Sequence, residues 1–263
     1  MTTVDIIISL FCLVDDRLGW RPKHPQAKLW PSELITIGML FALKGSSFRS
    51  FYRWLVRDYT ELFGEIPERT RLLRALRTHQ DETRVLLAEP TFFTVIDTYG
   101  IELLHPWRYG RSPLQVGRKG YSNHRWIVGL KFCWLLTNRG QVVAWDWNTA
   151  NVPDNSFAPL VVPFQDQTIT LADTGLHAAS GDPPNLKLCR KGEWNERMLV
   201  ETALSLVHRV CRLKYLWHRA RPYLAMHLAF VTALFNALLT LNDQLESVPQ
   251  GKVPWPHIAQ YGL

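Results

Sequence analysis

A chain of 263 residues, 47% hydrophobic and 20% charged, can bury a large core as one domain or two, which excludes a disordered or low-complexity polymer. Its four cysteines lie far apart in apolar surroundings with no Cys-x-x-Cys pair, which excludes a zinc ribbon or disulfide framework and reads as buried thiols of a reducing compartment. The formal charge of +7 favours an anionic partner, because basic surface recruits phosphate backbones through counterion release.

The opening run MTTVDIIISLFCLVDDRLGW has no basic leader, and Asp5, Asp15 and Asp16 interrupt it. It predicts a helix over 3–17, not a signal peptide. PSELITIGMLFAL (31–43) predicts a second helix with Ser32 as N-cap. FRSFYRWLVRDYTELF predicts a third, in which Arg49, Arg53 and Arg57 form a basic stripe opposite Phe48, Phe51 and Leu55. A fourth begins near Pro67 and carries Arg71, Arg74 and Arg77. Residues 1–90 therefore read as an all-helical N-terminal domain. Its arginine stripe, with Arg49 and Arg53 foremost, is either a DNA-binding face or the cationic side of a plain bundle.

The pattern then changes. PTFFTVIDTYGIEL (90–103) is β-branched and aromatic and reads as a strand ending near Asp97 and Tyr99. No acidic residue falls between Glu102 and Asp146, whereas Arg108, Arg111, Arg118, Lys119, Arg125, Lys131 and Arg139 all do. That bias marks either a DNA-facing segment or a solvated loop. Residues 125–137 and 141–151 predict a hairpin around Asn138-Arg139-Gly140. A short helix follows with Asp154 as N-cap, then strands over 167–175 and 185–189. KGEWNERMLVETALSLVHRVCRLKY (191–215) predicts an amphipathic helix with Leu199, Ala203, Leu206, Val210 and Leu213 toward a core. The apolar run 224–241 contains His227, Thr232 and Asn236 and reads as a buried packing helix, not a membrane span. The segment 244–263 reads as an irregular tail. Strands and helices in this order predict an α/β arrangement in a cytoplasmic protein.

Asp97 follows Val95-Ile96, and Asp173 follows Leu171-Ala172. A charge at the end of an apolar strand is costly unless it is paired, hydrogen-bonded or bound to a metal. Hard cations such as Mg²⁺ take oxygen ligands, and a third carboxylate from an adjacent helix, Glu201, would complete a two-metal site for phosphodiester cleavage. Other acids have plainer readings: Asp146 as a polar face position, Asp166 as a loop residue and Asp182 in a turn. His105, His124 and His177 read as surface or core histidines. Most of the eleven tryptophans are assigned to the core, with Trp194 the exception as a base-stacking group.

TVIDTYGIEL, TLADTGLH and WNERMLVETALSLVHRV, in this order, resemble the three catalytic blocks of DDE transposases of bacterial insertion sequences. The resemblance covers residues 91–243 and, more weakly, the helical N-terminal region. It implies a ribonuclease-H-like mixed sheet flanked by helices, with Asp97, Asp173 and Glu201 as catalytic residues holding two Mg²⁺ ions, or Mn²⁺ in their place. In the relevant branch the last block runs Tyr-x-x-Arg-x-x-x-Glu, then six residues and Lys. Here Trp194, Arg197 and Glu201 are followed by His208 in the lysine position and by Arg209. The resemblance implies that Arg197 positions phosphate; Trp and His remove a hydroxyl and a permanent charge, and Arg209 could supply the latter. Residues 174–200, 27 in all, leave no room for the large β insertion of some relatives. The implied partner is double-stranded DNA, both terminal inverted repeats and target, contacted also by Arg118, Lys119 and Arg125 and bound by a homodimer. Two alternatives are a nuclease of the same fold and a non-catalytic DNA-binding descendant; three carboxylates facing phosphate argue against the latter.

Overall fold

The computed structural model describes residues 2–122, 125–189 and 220–245, together with residues 203, 210, 211, 213 and 216. Helix α1 (Thr3–Leu18) starts with reciprocal bonds: the Asp5 N–H donates to the Thr2 hydroxyl, and the Thr2 N–H donates to the Asp5 carboxylate at 2.7 Å. These satisfy two of the first-turn amides that no helix can satisfy internally. Ile6, Ile7, Leu10, Val14 and Leu18 form its buried stripe, while Cys12 lies on the exposed side, contrary to the expectation of a buried thiol.

Helix α2 (Pro31–Lys44) is buried almost throughout. Its cap is Trp30, not Ser32, because Pro31 occupies the first helical position with its φ already helical. The Trp30 N–H donates to the Glu33 carboxylate at 2.6 Å, and the Gly64 N–H reaches the same carboxylate. Helix α3 (Phe48–Asp58), capped by Ser47, stops short of the expected end and passes into a 3-10 turn at Thr60–Leu62. Helix α4 spans Arg69–Thr78, and a 3-10 segment at Gln80–Leu86 leads to the sheet.

The sheet is mixed and comprises β1 (Phe93–Leu104), β2 (Arg118–Ser122), β3 (Arg125–Thr137), β4 (Val142–Thr149), β5 (Ile169–Asp173) and β6 (Leu186–Cys189). Its order is β2-β3-β1-β5-β6, with β4 also paired to β3. Strands β1, β2 and β4 run antiparallel to β3, whereas β5 is parallel to both β1 and β6. The expected hairpin forms, with Gly140 at φ 79° in its turn. Strand β2 was not expected. Its sequence RKGYS lacks an apolar alternation because it is an edge strand, where charge is tolerated.

Each sheet face has its own apolar cover. Val95, Leu130, Phe132, Trp134 and Leu171 share one cluster with α1–α4 and with helix α5 (Arg221–Leu245). Ile96, Cys133, Leu135 and Ala172 point the other way, against Phe157 and Val161 of a 3-10 segment at Asp154–Phe164. Helix α5 is long and apolar enough to cross a membrane, but most of that stretch is buried, as expected of a packing helix. It approaches α2 so closely that a Cβ on Gly38 would sit 2.2 Å from the Phe230 ring. It also extends into the segment predicted as tail; residues 246–263 lie outside the described residues. Most of the predicted helix 191–215 lies outside them too, but Ala203, Val210 and Leu213 of its apolar stripe are buried.

The aromatic expectation needs correcting. Of the tryptophans among the described residues, Trp134 and Trp147 are buried and Trp54 and Trp145 pack partly buried against the core, whereas Trp20, Trp30, Trp107 and Trp126 are exposed. Composition alone cannot separate an indole in the core from one held on a surface.

Candidate functional site

The parallel ladder between β1 and β5 pairs Val95 with Leu171 and Ile96 with Ala172. One step further along that register stand Asp97 and Asp173. Because side chains alternate across a strand, both share the face of Val95 and Leu171, the face that α5 covers. Neighbouring strands lie about 4.8 Å apart, so the two aspartates occupy adjacent positions on neighbouring strands. Strand β1 does not end near Asp97 and Tyr99, as its sequence suggested, but continues to Leu104 against β3. Asp97 instead marks the point where β1 loses β5, which ends at Asp173 and turns into a 3-10 segment at Thr174–Leu176.

Each aspartate is followed by a threonine that bonds to it. The Thr98 N–H donates to Asp97 Oδ1 at 2.7 Å, and the Thr174 hydroxyl donates to Asp173 Oδ1 at 3.1 Å. These bonds fix the orientation of each carboxylate.

Asp154 is not the N-cap its position suggested. Pro153 takes the cap place and no side-chain capping bond forms. The Asp154 carboxylate instead accepts the Thr98 hydroxyl at 2.7 Å and pairs with the Lys131 ammonium at 2.9 Å. Lys131 lies mid-strand on β3 with only 8% of its side chain exposed, so its charge needs that partner. Asp154 Oδ2 lies 3.8 Å from where a Cβ on Gly175 would be. One carboxylate thus braces the residue after Asp97 and approaches the turn after Asp173.

We expect Asp154→Asn to destabilise the protein by about 2 kcal/mol, because a buried ammonium loses its counter-charge. Lys131→Met keeps the stem packed and leaves a carboxylate that water can reach, at a cost of about 1 kcal/mol or less. Denaturant unfolding of both variants checks this ordering; equal losses would show that the pair does not neutralise Lys131.

Cys133 sits opposite Thr98 and Asp146 on the neighbouring strands. Burial, and after it the charges of Asp97, Asp146 and Asp154, push its thiol well above the usual range. Burial alone raises Cys211 to about 12. Neither is suited to thiolate chemistry. Asp146 is exposed and accepts its neighbour's Trp147 N–H at 2.7 Å, in keeping with a polar face position.

His177 is a surface histidine as read from sequence: its Nδ1 meets Asp182 Oδ2 at 2.8 Å. The Ala178 N–H and then His177 hold Asp182 below the ordinary carboxylate range. His105 caps the 3-10 turn at Pro106–Arg108. Asp166 lies exposed in a turn. Arg118 and Lys119 on β2 and Arg125 on β3 are exposed, with Arg125 3.3 Å from Glu102. Arg49 and Arg53 are exposed on α3, a different element, and Arg57 of the same stripe pairs with Asp58.

Glu201, Arg197, Trp194, His208, Arg209 and His124 lie outside the described residues. Ala203, two positions after Glu201 in sequence, is fully buried in the cluster that includes Val95 and Leu171. Among the described residues no group of three or more His, Cys, Asp or Glu side chains forms a cation site; Asp97 and Asp173 stand as a pair. The Lys131–Asp154–Thr98 network was missed from sequence. Its signal was the lone lysine inside the apolar run GLKFCW, which required a partner from elsewhere in the chain. No protein-family model matches the chain, and no curated protein matches its sequence.

Proposed function

We propose that this chain is a DDE transposase acting on double-stranded DNA, with Asp97 and Asp173 at the centre of its catalytic site. The observation that carries the reading is the side-by-side placement of these two aspartates where the parallel pairing of β1 and β5 ends. The path β4-β3-β1-β5-β6, antiparallel on one side of β1 and parallel on the other, supports a ribonuclease-H-like catalytic domain over 91–243. The helices before β1 then form an N-terminal domain over 1–90 for DNA binding or dimerisation.

Two aspartates at adjacent positions, each oriented by a neighbouring threonine, are a donor set suited to a hard divalent cation. Glu201 would be the third ligand of a pair of Mg²⁺ ions. Bound there, Mg²⁺ supplies Lewis-acid stabilisation of charge at the phosphodiester being cleaved or joined. Asp97 and Asp173 hold the site from the rigid sheet. Thr98 fixes the Asp97 carboxylate, and Asp154 braces Thr98 while keeping the Lys131 charge occupied. Arg197, with Trp194, His208 and Arg209, would contact phosphate and bases. Cleavage at the element's end and attack of the freed 3′-hydroxyl on target DNA are both phosphoryl transfers, so one site serves both. Two ends must be held together, which suits a homodimer working in the cytoplasm.

Mn²⁺ binding, followed by electron paramagnetic resonance, tests the site directly. Wild type binds Mn²⁺, and Asp97→Asn and Asp173→Asn each weaken binding by roughly tenfold or more, as expected when a charged ligand is removed. Equal binding by all three proteins would overturn the assignment.

A further inference from the structure

The edge of the sheet farthest from β6 carries an aromatic and cationic surface that the cleavage site does not use. Tyr121 on β2 and Trp126 on β3 face each other across the strands and pack edge to face, with centroids 5.7 Å apart. Both are open to solvent, Tyr121 at 54% and Trp126 at 60% exposure. The Lys119 ammonium lies over the Trp126 ring, 5.2 Å from its centroid. Arg118 beside it is exposed, and the turn after β1 adds exposed Trp107 and Arg108.

Exposed rings packed together with an ammonium over one of them offer a surface on which a flat ligand can stack. Its chemistry selects the occupant. Arg118 and Lys119 beside the rings are exposed, and Arg125 is paired with Glu102 at 3.3 Å, so the charge left over on this edge is cationic and complements phosphate. Phosphates of an intact duplex make no use of exposed rings, because paired bases keep their faces stacked inside the helix. Unpaired nucleotides offer both groups at once: a charged backbone for the cations and a free base for the ring. We propose that Lys119, Tyr121 and Trp126 form a stacking platform for unpaired nucleotides.

This platform rests on the nucleic-acid reading above and adds a strand-specific subsite to it. Trp126 and Trp134 occupy the same face of β3, since positions 126, 128, 130, 132 and 134 alternate onto one side, and Trp134 is the cross-strand partner of Asp97. Eight residues of strand place the platform about 25 Å from the aspartates. A strand engaged at both points would therefore span several nucleotides.

Fluorescence anisotropy with a labelled single strand and the corresponding duplex, on the full chain, tests the platform. Trp126→Ala weakens single-strand binding by about tenfold while duplex affinity stays within about twofold; Tyr121→Ala acts in the same direction. Trp126→Phe, which keeps a stacking ring, recovers most of the loss. An unchanged thermal midpoint shows that the exposed side chain was removed without unfolding the edge. Equal losses for single strand and duplex, or none for either, would overturn the platform. Wild type that binds duplex but not single strand would overturn it and leave the transposase reading standing; wild type that binds neither would overturn both.

Discussion

Asp97→Asn lowers metal-dependent cutting of a DNA end by about a thousandfold or more, equivalent to about 4 kcal/mol of lost transition-state stabilisation. Asp173→Asn does the same. The substitution is nearly isosteric, and an asparagine oxygen can still accept the Thr98 N–H that now meets Asp97 Oδ1 at 2.7 Å, so the fold is retained. What disappears is one negative charge of a two-carboxylate pair placed on adjacent strands. Duplex affinity holds or tightens slightly, because a carboxylate facing phosphate has been neutralised. A gel-based cleavage time course with a parallel binding isotherm separates the two effects. Cutting by either variant at the wild-type rate would remove the pair from the chemistry.

The largest structural effect is expected at Asn236. This residue sits on the buried side of α5, 4% exposed, and binds the chain at two distant places. Its Oδ1 accepts the Val142 N–H at 2.7 Å, and its amide donates to the Val142 and Leu86 carbonyls at 2.8 and 2.9 Å. It thereby fastens β4 and the Gln80–Leu86 segment to the helix that covers the aspartate face. In Asn236→Leu the Val142 carbonyl keeps the Ala88 N–H at 2.9 Å. The Val142 N–H and the Leu86 carbonyl, however, lose the side chain that served them. Each buried group left unpaired costs about 1–3 kcal/mol, so the variant loses about 3 kcal/mol. For a domain of this size the thermal midpoint falls by roughly 6–12 °C. Calorimetry of the two proteins reads this directly, and an unchanged midpoint would show that Asn236 does not hold β4 in place.

These two residues also show how far the sequence carries. The placement of Asp97 and Asp173 on neighbouring strands was legible, because each directly follows an apolar pair of the kind that fills a strand. The hairpin of β3 and β4 was legible from its turn, and α1 from its stripe and interrupting acids. The partnership of Asp154 was not, because its local setting beside Pro153 suggests a helix cap while its true partners are remote: Thr98 is 56 positions away in the chain. Strand β1 runs past the end expected near Asp97 and Tyr99, to Leu104, with Gly100 inside it. In the fold that glycine allows close approach: a Cβ there would lie 2.3 Å from the Ser122 hydroxyl of β2. Strand β2 was hidden because an edge strand rich in Arg, Lys and Gly carries no apolar period. Asn236 was noticed only as a polar interruption of an apolar run; its role depends on backbone groups that composition cannot name.

The central claim is that this pair of aspartates acts with divalent cations on DNA ends. Strand nicking and joining on a labelled duplex carrying the DNA that flanks the gene, with Mg²⁺ and with Mn²⁺, tests it most directly. Metal-dependent cutting at one discrete position, followed by joining of the new 3′-end to a second duplex and lost in Asp97→Asn, is the expected result. Cutting without joining would point to a nuclease. Binding without cutting under either metal would contradict the claim and leave a DNA-binding protein that has kept the sheet but not the chemistry.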